Sequence, residues 1–121
     1  MSFNFSNDTP IYFQIAELIK VKIINGSYAL GEKLPAIREL SASLKANPNT
    51  VQKALLELED LGLIYTERTN GKYVTTDKNL ILGLKKQIID SKINSFITEL
   101  KELGLSAAEI KEYLNSKEDL K

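Results

Sequence analysis

The residues with the most to offer chemically lie in the middle of the chain. Arg38, Asn47, Asn49, Thr50, Gln52 and Lys53 fall close together, and Arg68, Gly71 and Lys72 follow. An asparagine or glutamine amide can read adenine bidentately, an arginine fork can clamp guanine or phosphate, and a lysine can meet phosphate. Each residue also has a plainer reading. Arg38 can pair with Glu39, Asn47 can simply cap a helix, Thr50 can fold back on that cap, and exposed polar side chains are ordinary on any helix. Cations beside Asn70-Gly71 are often only a solvated hairpin. Catalysis finds much less support. The 121-residue chain contains no histidine and no cysteine, so the commonest general base, the commonest metal ligand and any thiolate nucleophile are missing. The carboxylates lack HExxH or EF-hand spacing, and no GxxxxGK[ST] run is present to cradle phosphates. The sequence predicts a non-enzyme with no cofactor and no metal.

The elements that would position these residues can be read from punctuation and periodicity. Asp8-Thr9-Pro10 opens a first helix, with Asp8 or Thr9 as cap and Pro10 at the first helical position. Ile11, Ile15, Leu18 and Ile19 give it an apolar face, and Asn25-Gly26 stops it. A second helix spans about Pro35 to Leu44 and buries Ile37, Leu40 and Leu44. Lys45-Ala46-Asn47 breaks it. Asn47-Pro48 then starts a third helix, with Val51, Ala54, Leu55, Leu58 and Leu61 on its apolar face and its end at Gly62. Arg38, Asn49, Gln52 and Lys53 lie off those apolar faces. Two short helices joined by a tight turn form a helix-turn-helix candidate. Leu63–Glu67 and Lys72–Thr76 read as strands, and Asn70-Gly71 supplies the two positive-φ residues of a tight hairpin. A hairpin directly after a helix-turn-helix is the layout of a winged helix.

From Asp77 the pattern changes. Ile81, Leu84, Ile88, Ile89, Ile93, Phe96, Leu100 and Leu103 recur at three- and four-residue steps up to Gly104, which predicts one long helix. Ser106 to Glu109 is a capping box that opens a last helix over 106–116, packed through Ile110, Tyr113 and Leu114. That short helix cannot cover the whole stripe of Ile81, Leu84, Ile89, Ile93, Phe96, Leu100 and Leu103, so the stripe is expected to form a homodimer interface. The expected architecture is mainly α with a small β-hairpin: a winged helix-turn-helix over 8–76, then a two-helix dimerisation arm over 77–121. The arm is too small to enclose a metabolite, and whether a small-molecule effector exists is left open.

Sixteen basic and sixteen acidic residues balance overall. Taken alone, this balance argues mildly against a nucleic-acid partner. The distribution is uneven, however. Over 33–53, Lys33, Arg38, Lys45 and Lys53 stand against Glu39 alone, whereas 99–121 is net acidic. The N-terminus shows no signal-peptide pattern and no apolar run reaches membrane-spanning length, so a cytoplasmic protein is the expectation.

PIYFQIAELIKVKIINGSYALGEKLPAIREL followed by ANPNTVQKALLELEDLGLIYTERTNGKYV resembles the GntR family of bacterial transcription regulators. The resemblance covers residues 10–75. It rests on Pro-Ile-Tyr, Gly-x-Lys-Leu-Pro, Arg-Glu-Leu, Asn-Pro-Asn-Thr-Val and Leu-Gly-Leu-Ile occurring in order. The short tail after the wing is similar to the YtrA-like subfamily, in which such a tail serves dimerisation. The resemblance implies a sequence-specific regulator of transcription that binds double-stranded operator DNA as a dimer. It also implies a repressor, as subfamily members usually repress operons for ABC-type transporters. The same winged helix used for protein–protein assembly alone is the alternative reading. Two positions depart from the family pattern. Ala36 stands where a serine often caps the second helix, and Thr69 replaces the first of two glycines frequent at the wing tip.

Overall fold

The computed structural model describes residues 5–120. Its elements run α1 (Ile11–Ile24), α2 (Ile37–Leu44), α3 (Pro48–Asp60), β1 (Ile64–Glu67), β2 (Gly71–Val74), α4 (Lys78–Glu102) and α5 (Ala107–Asn115), with a closing 3-10 turn at Glu118–Leu120. The expected class is observed: mostly helical, with one antiparallel hairpin after the second helix of a helix-turn-helix.

The chain divides into two compact units between Leu84 and Lys85, within α4. The core of the first is built from one face of each helix. Ile15, Ile19 and Ile23 of α1 meet Val51, Ala54, Leu55 and Leu58 of α3, with Leu40 of α2, and Leu63, Ile64 and Val74 at the hairpin base. All are at most 7% exposed, which is the burial that drives the three helices together. Three positions expected on the apolar faces lie outside this core: Ile11 and Leu61 are each 44% exposed, and Leu18 is half-buried. The face of α1 sits further along the helix than expected, on Ile15, Ala16, Ile19 and Ile23.

Helix ends follow local chemistry, with three differences from expectation. Pro10 is the N-cap of α1 rather than its first residue, and no side chain caps that helix. The helix start is braced instead by Gln14, whose amide donates to Thr9 O and Ser6 O, each at 2.9 Å. Ala36 caps α2 without a side-chain bond, so α2 begins at Ile37. Lys45 ends α2 at φ 54°, a left-handed conformation normally left to glycine, and Ala46 N–H closes onto Ser41 O at 3.0 Å. The Asn47 side chain accepts from Asn49 N–H at 2.8 Å and starts α3 as expected.

β1 and β2 pair in register from Ile64↔Val74 to Glu67↔Gly71. The hairpin turn differs from the expected pair of positive-φ residues at Asn70-Gly71. Asn70 N–H closes onto Glu67 O at 3.2 Å, and only Gly71 takes positive φ, at +105°. That is a three-residue loop followed by a bulge-type glycine. The connector 31–34 runs along the other edge of β2: Leu34 N–H donates to Lys72 O at 2.8 Å and Val74 N–H to Glu32 O at 2.9 Å.

In the second unit, Ser106 and Glu109 form the expected capping box of α5, and Ile110 is buried at 4% exposure. Tyr113 lies outward, at 60%. Phe96, Leu100, Leu103, Leu105, Ile110 and Leu114 line an open hollow of about 410 Å³.

Candidate nucleic-acid interface

The two helices of the helix-turn-helix turn their buried faces to the core and leave the opposite faces polar. Arg38 is exposed on the first turn of α2 and makes no ion pair among the described residues, so the plain pairing with Glu39 is not formed. Asn49, Gln52 and Lys53 are exposed on α3, and Thr50 is half-buried. Asn47 is exposed as well, but its carbonyl oxygen is committed to the cap. A proline at the first position and a satisfied cap fix where α3 begins. The side chains of its first two turns are therefore presented from a rigid start.

Lys53 is steadied from outside its own helix. Its Nζ lies 4.0 Å from the centre of the Tyr12 ring, over the face of an aromatic held by α1. The wing lies across a groove of about 370 Å³ from the start of α2, and Lys33, Arg68 and Lys72 are among its lining residues. The groove therefore brings cations of the connector and of the wing together. Arg68 is exposed at the tip, and the Lys33 stem passes beside Gly71, where a Cβ would lie 3.4 Å from Lys33 Cε. Lys72 is placed differently from the other candidate cations. Its Nζ donates to Glu59 Oε1 and, at 3.0 Å, to Thr66 Oγ1, and its side chain is 18% exposed. The Lys72 and Thr66 hydrogen bonds hold the Glu59 carboxyl below its usual range. Tyr65 and Tyr73, opposite each other in register, stack at 5.8 Å and pack the hairpin on itself.

Sequence reasoning did not single out Tyr12 or Glu59 and counted Lys33 only as charge. A signal existed for Lys33, since it belongs to the basic stretch of the connector. The partners of Tyr12 and Glu59 are distant in sequence and only the fold reveals them. On α4, Ile89, Ile93 and Phe96 are 44%, 49% and 43% exposed, and Leu103 just beyond the helix is 78% exposed. Leu100 is half-buried. Ile81, at 9% exposure, and Leu84 pack instead against the core of the first unit. The fold of one copy already covers Ile81.

The pattern describing "Bacterial regulatory proteins, gntR family" matches residues 11–74, from the start of α1 to the end of β2. The chain belongs to the GntR family. Similarity to GntR proteins also extends beyond the winged helix. The HTH-type transcriptional repressor YtrA of Bacillus subtilis is 35% identical over 89% of this chain and 84% of its own length. A GntR family transcriptional regulator from Listeria monocytogenes superposes with a TM-score of 0.87 at 39% identity, covering 94% of this chain and all of that one. The DNA-binding domain of AraR, solved in complex with operator ORX1, superposes with a TM-score of 0.57 at 25% identity, over 62% of this chain and 95% of that one. This GntR protein is thus a transcription regulator with a winged helix-turn-helix DNA-binding domain, and not an enzyme. Among the described residues no helix is long and apolar enough to cross a membrane.

Proposed function

We propose that this GntR regulator is a cytoplasmic repressor that binds an inverted-repeat operator as a homodimer, with a transporter operon as its target. The reading is carried by the outer face of α2 and α3. Arg38, Asn49 and Gln52 are exposed there and make no side-chain bond or ion pair among the described interactions, while the inner face is fully spent on the core. In this reading Asn49 and Gln52 enter the major groove, Arg38 clamps guanine or phosphate, and the Lys53 and Thr50 side chains meet phosphate. Arg68 and Gly71 bring the wing to the adjacent backbone. Similarity to a named repressor of nearly the same length supports repression, and an operator complex of a similar domain supports duplex DNA as partner.

The experiment is selection of duplexes from a randomised pool by the wild-type protein. An inverted repeat with half-sites about 34 Å apart is expected. Arg38→Ala and Asn49→Ala are each expected to weaken binding to the selected duplex by about 1–3 kcal/mol with unchanged thermal unfolding. Binding at wild-type strength by both variants would show that α2 and α3 do not form the docking face. A winged helix used only for protein assembly would enrich no sequence and show no salt-dependent response to DNA.

A further inference from the structure

One cation that the sequence offers to DNA is already claimed inside the protein. Thr66 and Lys72 are cross-strand partners, so their side chains leave the same face of the hairpin. Both converge on Glu59, in the last turn of α3: Thr66 Oγ1 donates to Glu59 Oε1 at 2.5 Å, and Lys72 Nζ donates to the same oxygen. A carboxylate at that position opposes the helix dipole, whose C-terminal end is negative, so the site carries a cost that a cation must offset. The Lys72 and Thr66 hydrogen bonds outweigh the effect of burial and hold the Glu59 carboxyl below its usual range.

The hairpin needs such a tie. A two-stranded ribbon alone is marginal in water. Its base is fixed by Thr75 N–H on Leu63 O at 2.8 Å, and one edge of β2 by the connector 31–34. Among the described contacts, side-chain bonds between α3 and the ribbon are those of Glu59.

We propose that Glu59 is the positioning residue of the wing: by holding Lys72 and Thr66 it sets the angle of the hairpin against α3, and it withdraws Lys72 from phosphate. Arg68 at the tip is then the wing's DNA cation. The proposal rests on the DNA-docking reading above for its consequence and on the fold alone for the latch itself.

Two measurements test it. In Glu59→Gln, hydrogen exchange of the amides of residues 64–74 is expected to accelerate while α1 and α3 exchange as in wild type. Unchanged wing exchange overturns the latch whatever happens with DNA. On the duplex selected by the wild-type protein, Glu59→Gln is expected to weaken binding several-fold, but to have no further effect once Arg68→Ala is present. Lys72→Met in that same Arg68→Ala background is expected to leave the salt dependence of binding unchanged. A further drop of about one in the slope of log affinity against log salt would make Lys72 a phosphate contact and overturn the proposal. Multiplying effects of Glu59→Gln and Arg68→Ala, or tighter binding by Glu59→Gln, would overturn it as well. If the wild-type protein selects no duplex, the DNA reading falls and the exchange result alone decides the latch.

Discussion

If Lys53 meets phosphate as proposed above, part of its value lies in a neighbour, Tyr12 on α1. A free lysine loses up to about 2 kcal/mol of rotamer freedom when it is fixed on a phosphate. Here the Tyr12 ring, half-buried on α1, holds the ammonium 4.0 Å from its centre before any ligand arrives. At a partly exposed site such a contact is worth about 0.5–1 kcal/mol. Tyr12→Leu is therefore expected to weaken operator binding about threefold, as 1.4 kcal/mol corresponds to tenfold. Tyr12→Phe, which keeps the π face, is expected to bind as wild type. In a Lys53→Ala background the Tyr12→Leu effect is expected to vanish. Fluorescence anisotropy with a labelled selected duplex reads all three; a Phe variant as weak as Leu would assign the effect to the hydroxyl instead. At this scale the sequence was legible for residue type and helix face, which is how Arg38, Asn49, Gln52 and Lys53 came to be named. It was not legible for pairing. Lys72 looked like any other wing cation because its carboxylate partner sits on a different element.

Element boundaries were legible wherever a side chain enforces them. Asn47-Pro48 starts α3 through a formed cap, and Ser106 with Glu109 starts α5 through a formed capping box. They were less legible where backbone geometry decides. Asn70-Gly71 suggested two positive-φ residues, but the three-residue loop needs only one, and Gly71 supplies it. Lys45 is the opposite case, a residue with a Cβ in a place that sterics reserve for glycine. The left-handed conformation costs a non-glycine residue about 1–2 kcal/mol, part of which glycine gives back through its greater freedom when unfolded. Lys45→Gly is expected to raise unfolding stability by roughly 0.5–1 kcal/mol in urea titration. No gain would mean that the lysine side chain is compensated locally. The wing latch has its own signature in pH. Glu59 titrates below its ordinary value of 4.5 when folded, so its contribution is fully present above that pH and is lost as pH falls through the lower folded value. The stability gap between wild type and Glu59→Gln is expected to be constant at neutral pH and to close below about pH 4.5. A gap that persists in acid would mean that the carboxylate charge is not what holds Lys72.

For the whole molecule, the deciding feature is the apolar stripe that one copy leaves uncovered. Ile89, Ile93, Phe96, Leu100 and Leu103 follow one another at alternating steps of four and three, and Leu82, 50% exposed, lies one heptad before Ile89. That spacing keeps apolar residues on one seam, as helices that pack along their length require. Ile81 and Leu84 were expected to join the stripe, but they belong to the core of the first unit, and periodicity alone could not separate the two uses of one helix. In the homodimer proposed above, a second copy would place the same seam against itself in a two-fold interface and cover the stripe with no other partner needed. Ile93 and Phe96 are 49% and 43% exposed in one copy, and neither belongs to the core of the first unit. Ile93→Glu with Phe96→Glu is therefore expected to give folded monomers by sedimentation, with helical content unchanged. Two linked DNA-binding domains gain from the second site acting at high effective concentration, so the monomer is expected to bind the inverted repeat about 100-fold or more weakly. Its salt slope is also expected to fall to about half, as half the phosphate contacts are made. A wild-type protein that sediments as a monomer at micromolar concentration and still binds the full operator at undiminished affinity would remove the dimer from the mechanism.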